Sequence, residues 1–324
     1  MRLRRVTVLG ASGFIGRYIV KRLARRGAVV AAVSRHATSA GFLRPMGDVG
    51  QVVQLDAGIT DETRLAAAVA GSDAVVCAIG ILYERGRQRF DTVHHRGPAL
   101  LARLAAAAGA KRFVQISAIG ADPASPAAYA RSKAAGEAAV RAAFPAATIL
   151  RPSIVFGPED DFFNRFAAMA RYLPMLPLIG GGRTRFQPVY VGDVANAVLA
   201  ALEQPGAQGQ TYELGGPEVL SFKELMELTL RETQRRCGLV NLPFSLAMFE
   251  AAFLQWLPRP PLTCDQVRML RRDNVVAPDA LGLAALGIAP TALELELPLY
   301  LDRFRRGGRW RDADRAAAYG PPSR

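Results

Sequence analysis

Tyr129 and Lys133 stand four residues apart in a stretch, Ala127 to Phe144, whose pattern predicts a helix, so both side chains leave the same helix face. A phenol beside an ammonium can pass a proton to or from a substrate oxygen, because that charge, joined by a nicotinamide cation, lowers the phenol pKa. The same lysine can hold a ribose. Two polar residues at this spacing are also an ordinary surface pair, and the upstream sequence separates the two readings. Ser117 ends the run Arg112 to Ser117, which reads as a strand and sets a third hydroxyl at the strand's carboxyl end.

Such groups need a scaffold that brings a cofactor to them, and VTVLGASGFIG, Val6 to Gly16, has the form of one. A β-branched run leads through a glycine turn into an amphipathic pattern, Phe14 to Arg26. Gly10 can tighten the turn, Gly13 lets backbone approach a pyrophosphate, and Gly16 lets the helix pack on the strand. Ser12, Phe14 and Ile15 complete that cofactor-binding turn. A second strand, Ala28 to Ser34, ends in Ser34-Arg35-His36, where a fold that prefers NAD carries an acid for the ribose hydroxyls. Arg35 suits a 2′-phosphate instead, which points to NADPH, with a solvated loop arginine as the plainer reading.

The third strand, Gln51 to Leu55, leads to Asp56 and Ala57; Asp56 could bond the adenine amino group or serve as a turn carboxylate. Asp61 caps a helix to about Ala70, and a fourth strand, Ala74 to Ile79, leaves Ala78 and Gly80 bare where the middle of a dinucleotide passes. A helix from Phe90 to Ala108 precedes the Ser117 strand; a sixth strand, Ala147 to Arg151, runs into Pro152. This alternation predicts an α/β fold of Rossmann type, a doubly wound parallel sheet with a smaller, mostly helical C-terminal lobe. Residues 1–157 and 187–216 are assigned to the nucleotide domain and 158–186 with 217–324 to the lobe. After Gly216 the chain is expected to stay outside the sheet, with capping boxes at Ser221/Glu224 and Thr291/Glu294.

Bulk properties narrow the class. The 324 residues, half of them hydrophobic, can bury a full core. Cys77, Cys237 and Cys264 are scattered and lack metal-ligand spacing, so neither a disulfide framework nor a metal site is expected and a reducing compartment fits. The net charge of +13 suits an acidic neighbour, an anionic membrane surface or an acidic protein, or else merely an arginine-rich solvated face. No nucleic-acid motif, targeting segment or transmembrane span is read. Leu242 to Leu257, LPFSLAMFEAAFLQWL, is apolar almost all round with Glu250 its single charge; this favours internal core, with docking on a membrane or partner as the alternative. Arg303, Arg305, Arg306, Arg309 and Arg311 surround Trp310, which suits either a solvated end or a headgroup region.

GASGFIG, the Ser117 strand end, YARSK at Tyr129 to Lys133 and RPSIVFGP together resemble the extended or atypical short-chain dehydrogenase/reductases. LRPMGDVGQ from Leu43, DDFFNRFA from Asp160, QPVYVGDVA from Gln187 and LGIAPTALE from Leu286 narrow the resemblance to the nucleotide-binding accessory subunits of respiratory complex I, nearly end to end. That resemblance implies a bound NADPH that is not turned over, other complex I subunits as partners, and a structural or regulatory task at the junction near the quinone site. Carried across by position, Gly10, Gly13, Gly16 and Arg35 bind the nucleotide, and Tyr129 and Lys133 grip the nicotinamide ribose. His94 stands where extended reductases carry a proton-relaying Asn, and only eleven residues separate Ser117 from Tyr129, both departures from a turnover enzyme. A free NADPH-dependent reductase or epimerase, acting on a carbonyl or isoprenoid-like substrate, is the competing expectation. Placement in the bacterial cytoplasm, peripheral to the inner membrane, follows from the same reading.

Overall fold

The computed structural model describes residues 3–258 and 260–306. Seven strands form one sheet: β1 (Arg5–Leu9), β2 (Val29–Ser34), β3 (Val52–Asp56), β4 (Ala74–Cys77), β5 (Arg112–Ile116), β6 (Thr148–Pro152) and β7 (Thr211–Leu214). They lie in the order β7-β6-β5-β4-β1-β2-β3, and every pair is parallel. Parallel strands need crossover helices, which bury both sheet faces and explain why Val6, Val8, Val75 and Val76 are all fully buried. On one face α1 (Phe14–Arg25) and α6 (Val191–Glu203) set Ile19, Leu23, Val194 and Leu202 against Val6 and Val8. On the other, α2 (Glu62–Val69), α3 (Gly97–Ala107) and α4 (Ala128–Ala143) set Leu65, Leu101 and Val140 against Leu9, Val75 and Phe113. The doubly wound architecture read from the sequence is therefore present.

Outside the sheet, α5 (Phe163–Tyr172), α7 (Phe222–Thr233) and α10 (Leu293–Leu301) enclose a separate core around Phe163, Phe222, Leu225 and Leu297. A smaller cluster joins α8 (Phe244–Leu254) to α9 (Cys264–Met269) through Ala247, Ala251 and Val267. The Ser221/Glu224 box opens α7 as expected, and a box that the sequence reading passed over, Thr263 with Gln266, opens α9.

Several expectations are corrected. Strand β4 stops at Cys77, two residues short of Ile79, which lengthens the bare segment at its carboxyl end. The helix after Phe90 begins with a turn of π-helix, Asp91–Arg96, before α3. Thr291 caps nothing: its amide and hydroxyl donate to the buried Asp193 carboxylate on α6 at 2.7 and 3.1 Å, because a buried carboxylate must find donors. After Gly216 the chain does return to the sheet. Leu281 bridges Tyr212 of β7, and Leu283 and Leu286 pack into the first core. The apolar stretch Leu242 to Leu257 is not internal core: only Ala247 and Ala251 of α8 are buried, while Phe249, Phe253 and Trp256 are 63%, 65% and 83% exposed. The small residues face α9, so the large ones must face out. Arg309, Trp310 and Arg311 lie outside the described residues.

The turn between β1 and α1 depends on two missing side chains. Gly10 has φ +85°, a left-handed conformation, and a Cβ on Gly16 would sit 2.0 Å from the Gly10 carbonyl oxygen. Gly16→Ala should therefore push α1 off β1 and cost about 1–3 kcal/mol, seen as a lower urea midpoint. Gly58→Ala, with nothing within 4 Å of the added carbon, should stay within about 0.5 kcal/mol of the parent.

Candidate functional site

Because all seven strands are parallel, their carboxyl ends open on one edge, and most of the sequence-predicted residues collect there. The Gly10 and Ala11 amides donate to the Val33 carbonyl, tying the glycine turn to the end of β2 beside Ser34 and Arg35. The Ala57 amide donates to the Ser34 carbonyl, and the Ala78 amide to the Leu9 carbonyl. Pro152 ends β6 and accepts from the Ile119 amide. Gly10, Ser12, Gly13, Ser34, Arg35, Ala57, Ala78, Gly80 and Pro152 thus line the ends of adjacent strands.

The fit of a dinucleotide to this edge rests on what its polar atoms lack. Gly13 is the N-cap of α1 and offers no side-chain acceptor, so the first amides of the helix, at Phe14, Ile15 and Gly16, point out of the turn uncapped. Ser34 Oγ is buried without a hydrogen-bond partner at the end of β2. Arg35 beside it is exposed and has neither a hydrogen bond nor an ion pair among the described residues. These groups suit a pyrophosphate and a phosphorylated ribose, and the glycine turn leaves room for both. Asp56, at the end of β3, accepts from the Ala37 amide through Oδ1 at 2.7 Å and so holds the loop after β2, while its exposed side chain still faces the same edge. The Phe14 ring meets the ring of Tyr18 edge-on and lies against Gly157.

At the other end of the edge, α4 carries Tyr129 and Lys133 on one face, and the Lys133 ammonium lies 5.8 Å from the centre of the Tyr129 ring. Lys133 is buried, donates to the Ile116 carbonyl at 3.5 Å and lies close to Gly80. Burial lowers its pKa to about 8, against the smaller opposing effects of Cys77 and Glu137, so it remains mostly protonated at neutral pH. The Tyr129 hydroxyl has no hydrogen-bond partner among the described residues, and burial pushes its pKa up to about 12. Within the protein alone, then, desolvation outweighs the ammonium, opposite to the lowering expected from their spacing.

Ser117 is turned to a different use. Its hydroxyl donates to Glu137 Oε1, and Glu137 is held by Arg151 through bonds of 3.0 and 2.7 Å, with Glu213 3.6 Å further along. The Ser117 proton is committed to a buried carboxylate that braces β5 and β6 against α4. His94, in place of the relay Asn, is also structural. Its Nε2 accepts from the Ile81 amide at 3.0 Å, which leaves Nδ1 to donate to Ser132 Oγ at 2.9 Å, and Ser132 in turn donates to the Tyr129 carbonyl. Burial, reinforced by the nearby Lys133 charge, drops its pKa to about 2 and keeps the ring neutral. Phe90 stacks on His94, and both rings meet Tyr129 edge-on at 5.9 and 5.2 Å, so the phenol is boxed in orientation. The roles of Glu137 and Ser132 were not legible in the sequence; YARSK contains Ser132 but says nothing of its partner.

Comparison with known proteins agrees with this geometry. Residues 6–215 match the NAD dependent epimerase/dehydratase family. The chain is 39% identical over 314 residues to the NADH dehydrogenase [ubiquinone] 1 alpha subcomplex subunit 9 of Arabidopsis thaliana, covering 93% of this chain and 78% of that protein. Identity to the subunit of the same name from Rattus norvegicus is 36%, covering 92% and 80%. A ceramide reductase of Caulobacter vibrioides shares 34% identity over 206 residues, 62% of this chain and 61% of its own. Among solved structures, the Thermus thermophilus UDP-glucose 4-epimerase superposes with a TM-score of 0.67 at 22% identity, covering 94% and 99%, a likeness of fold. The glycine turn, the parallel edge and the Tyr129/Lys133 pair lie within the residues matched, and the chain belongs to the NAD dependent epimerase/dehydratase family, among relatives of the alpha subcomplex subunit 9 proteins.

Proposed function

We propose that this protein is an NADPH-holding accessory subunit of a respiratory NADH:ubiquinone oxidoreductase, bound at the junction near the quinone site on the cytoplasmic face of a bacterial inner membrane. The observation that carries the reading is similarity to the subunit 9 proteins over more than nine-tenths of the chain, so that it spans the parts outside the nucleotide fold as well. Those outer parts include α8, whose exposed Phe249 and Phe253, with Trp256 just beyond its end, form an apolar face of the kind that partners cover. Other subunits of the complex are the proposed partners of that face, with an anionic membrane surface adjoining it. Among the described residues no helix is long and apolar enough to cross a membrane, which suits a peripheral attachment.

The dinucleotide would supply a hydride donor at its nicotinamide, and the residues of this chain are arranged to hold it. The α1 amides take the pyrophosphate, Ser34 and Arg35 the 2′-phosphate, and the Lys133 ammonium with the Tyr129 phenol the nicotinamide ribose. Domain assignment follows the same division, with residues 1–157 and 187–216 serving the nucleotide and 158–186 with 217–324 the partners. Ser117, bound to Glu137, and His94, neutral and held by Ile81 and Ser132, favour holding over turnover. Two observations favour a free reductase as second reading: the Tyr129 hydroxyl has no hydrogen-bond partner among the described residues, and a ceramide reductase is 34% identical over 206 residues.

Affinity purification from native membranes separates these readings. The accessory role predicts co-purifying subunits of the oxidoreductase; a lone monomer in the soluble fraction at low salt overturns it. Rapid oxidation of NADPH by quinones or aldehydes, abolished by Tyr129→Phe, would install the reductase instead. Calorimetry should show NADPH binding more tightly than NADH, and Arg35→Ala should weaken NADPH about thirtyfold, the equivalent of one bidentate phosphate contact of about 2 kcal/mol.

Lys133 makes pH a further test. NADPH affinity should fall as pH rises through about 8, where the ammonium is lost, and Lys133→Met should flatten that dependence. Stability of the unliganded protein should move the other way. The folded pKa lies below the unfolded lysine value of about 10.4, so the penalty for the buried charge is complete below about pH 8 and vanishes towards 10.4. Across that window Lys133 makes unfolding harder with rising pH, and comparing urea midpoints of the parent and Lys133→Met isolates its contribution.

A further inference from the structure

Helix α4 begins without a cap of its own. Ala127 stands at the N-cap, in an extended conformation that suits a capping residue, yet its methyl group accepts nothing. The first two amides are instead met by a carboxylate from a distant part of the chain: Asp265 Oδ1 accepts from the Ala128 amide at 2.7 Å and Oδ2 from the Tyr129 amide at 2.8 Å. We infer that Asp265 is a positioning residue of the dinucleotide site, which it governs by fixing the start of the helix that carries Tyr129 and Lys133. The inference rests on the dinucleotide reading above.

Three features make this more than a contact between neighbouring parts. Asp265 holds the main chain of Tyr129 itself, and Lys133 follows one helical turn later, so a shift of the α4 start moves both ribose-binding groups together. A carboxylate at the positive end of a helix dipole is also an electrostatic partner, and its two bonds are charge-assisted. Finally, Asp265 is itself placed with care. It lies in the first turn of α9, within the Thr263/Gln266 capping box, next to Val267, which is buried against Ala247 and Ala251 of α8. Beside it a cleft of about 730 Å³ runs along the α4 start between Phe90, Arg131, Trp256 and Arg268. Without Asp265 the two amides would face that cleft rather than protein, and the start of α4 would fray.

Neighbouring parts of the chain are also joined by an ion pair that leaves α4 alone, Arg272 Nη1 with Asp122 Oδ2 at 2.9 Å, and this supplies the control. NADPH dissociation constants are measured for the full chain well below its unfolding temperature. Asp265→Ala should raise the constant about five- to tenfold, the equivalent of a lost helix cap, and Asp265→Asn should raise it less. Arg272→Ala should leave it within about twofold. Adding Ala127→Ser to Asp265→Ala should recover most of the loss, because a hydroxyl at the N-cap can accept from the Tyr129 or Ala130 amide without restoring the contact to α9. Amide exchange at Tyr129 should follow the same order, fast in Asp265→Ala and slowed again by Ala127→Ser. Equal effects of Asp265→Ala and Arg272→Ala, or failure of Ala127→Ser to restore affinity, would reduce Asp265 to a tether and overturn the inference. A parent protein with no affinity for NADPH or NADH would instead overturn the dinucleotide reading, and the inference with it.

Discussion

Helix α1 approaches β1 so closely that the Gly10 carbonyl occupies the space a Cβ of residue 16 would fill. That contact sets more than one turn. It fixes where α1 starts, and with it the direction in which the uncapped amides of Phe14, Ile15 and Gly16 point. It also lets the Gly10 and Ala11 amides reach the Val33 carbonyl, which binds the turn to β2 and brings Ser34 and Arg35 beside the uncapped amides of α1. The all-parallel sheet then repeats this geometry strand by strand, because each carboxyl end emerges on the same edge.

Helix α4 meets a comparable constraint at the far end of that edge. A Cβ on Gly136 would lie 1.8 Å from the His94 carbonyl, so α4 packs against the π turn with no space between them. The π turn in turn directs the His94 ring inward, where it joins the Ile81 amide to Ser132 and boxes the Tyr129 phenol together with Phe90. Glu137, one turn beyond Lys133, secures the same helix to β5 and β6 through Ser117 and Arg151. The helix is thus held at its start by Asp265, in its middle by His94 and Glu137, and Tyr129 and Lys133 lie between those anchors. Rigidity of this kind suits a site that holds a ligand in one pose, since every rotamer fixed beforehand is a cost not met on binding.

The outer part of the molecule follows another economy. Helix α8 packs its small residues, Ala247 and Ala251, against α9 and leaves Phe249 and Phe253 in solvent, with exposed Trp256 just past its end. Apolar area on that scale stabilises an assembly at about 25 cal/mol per Å² once covered. A short run of contacts links that exposed helix to the sheet edge: α8 to α9, Asp265, then the Tyr129 amide.

Residue patterns alone determined the fold class, the glycine turn, the dinucleotide edge and the Tyr129/Lys133 pair, because each arises from local spacing: β-branched runs, glycines three apart, and a helical interval of four. Arg35 was legible for the same reason, as a residue type at a strand end. What the sequence could not reveal are the long-range partners. The hydrogen bond from the Ser117 hydroxyl to Glu137 could not be read from the strand that Ser117 ends, and Thr291 looks like a cap until its donors are seen to go to Asp193. Likewise, the wholly apolar Leu242 to Leu257 reads as core, since a helix with no polar face gives no hint of which side is covered. The missing cap at Ala127 is visible in the sequence, but Asp265, which supplies it from 136 residues beyond Tyr129, is not. Hydrogen-bond demand is set locally, by each amide and carboxylate the chain carries, whereas its satisfaction is decided only when tertiary packing brings donors and acceptors together.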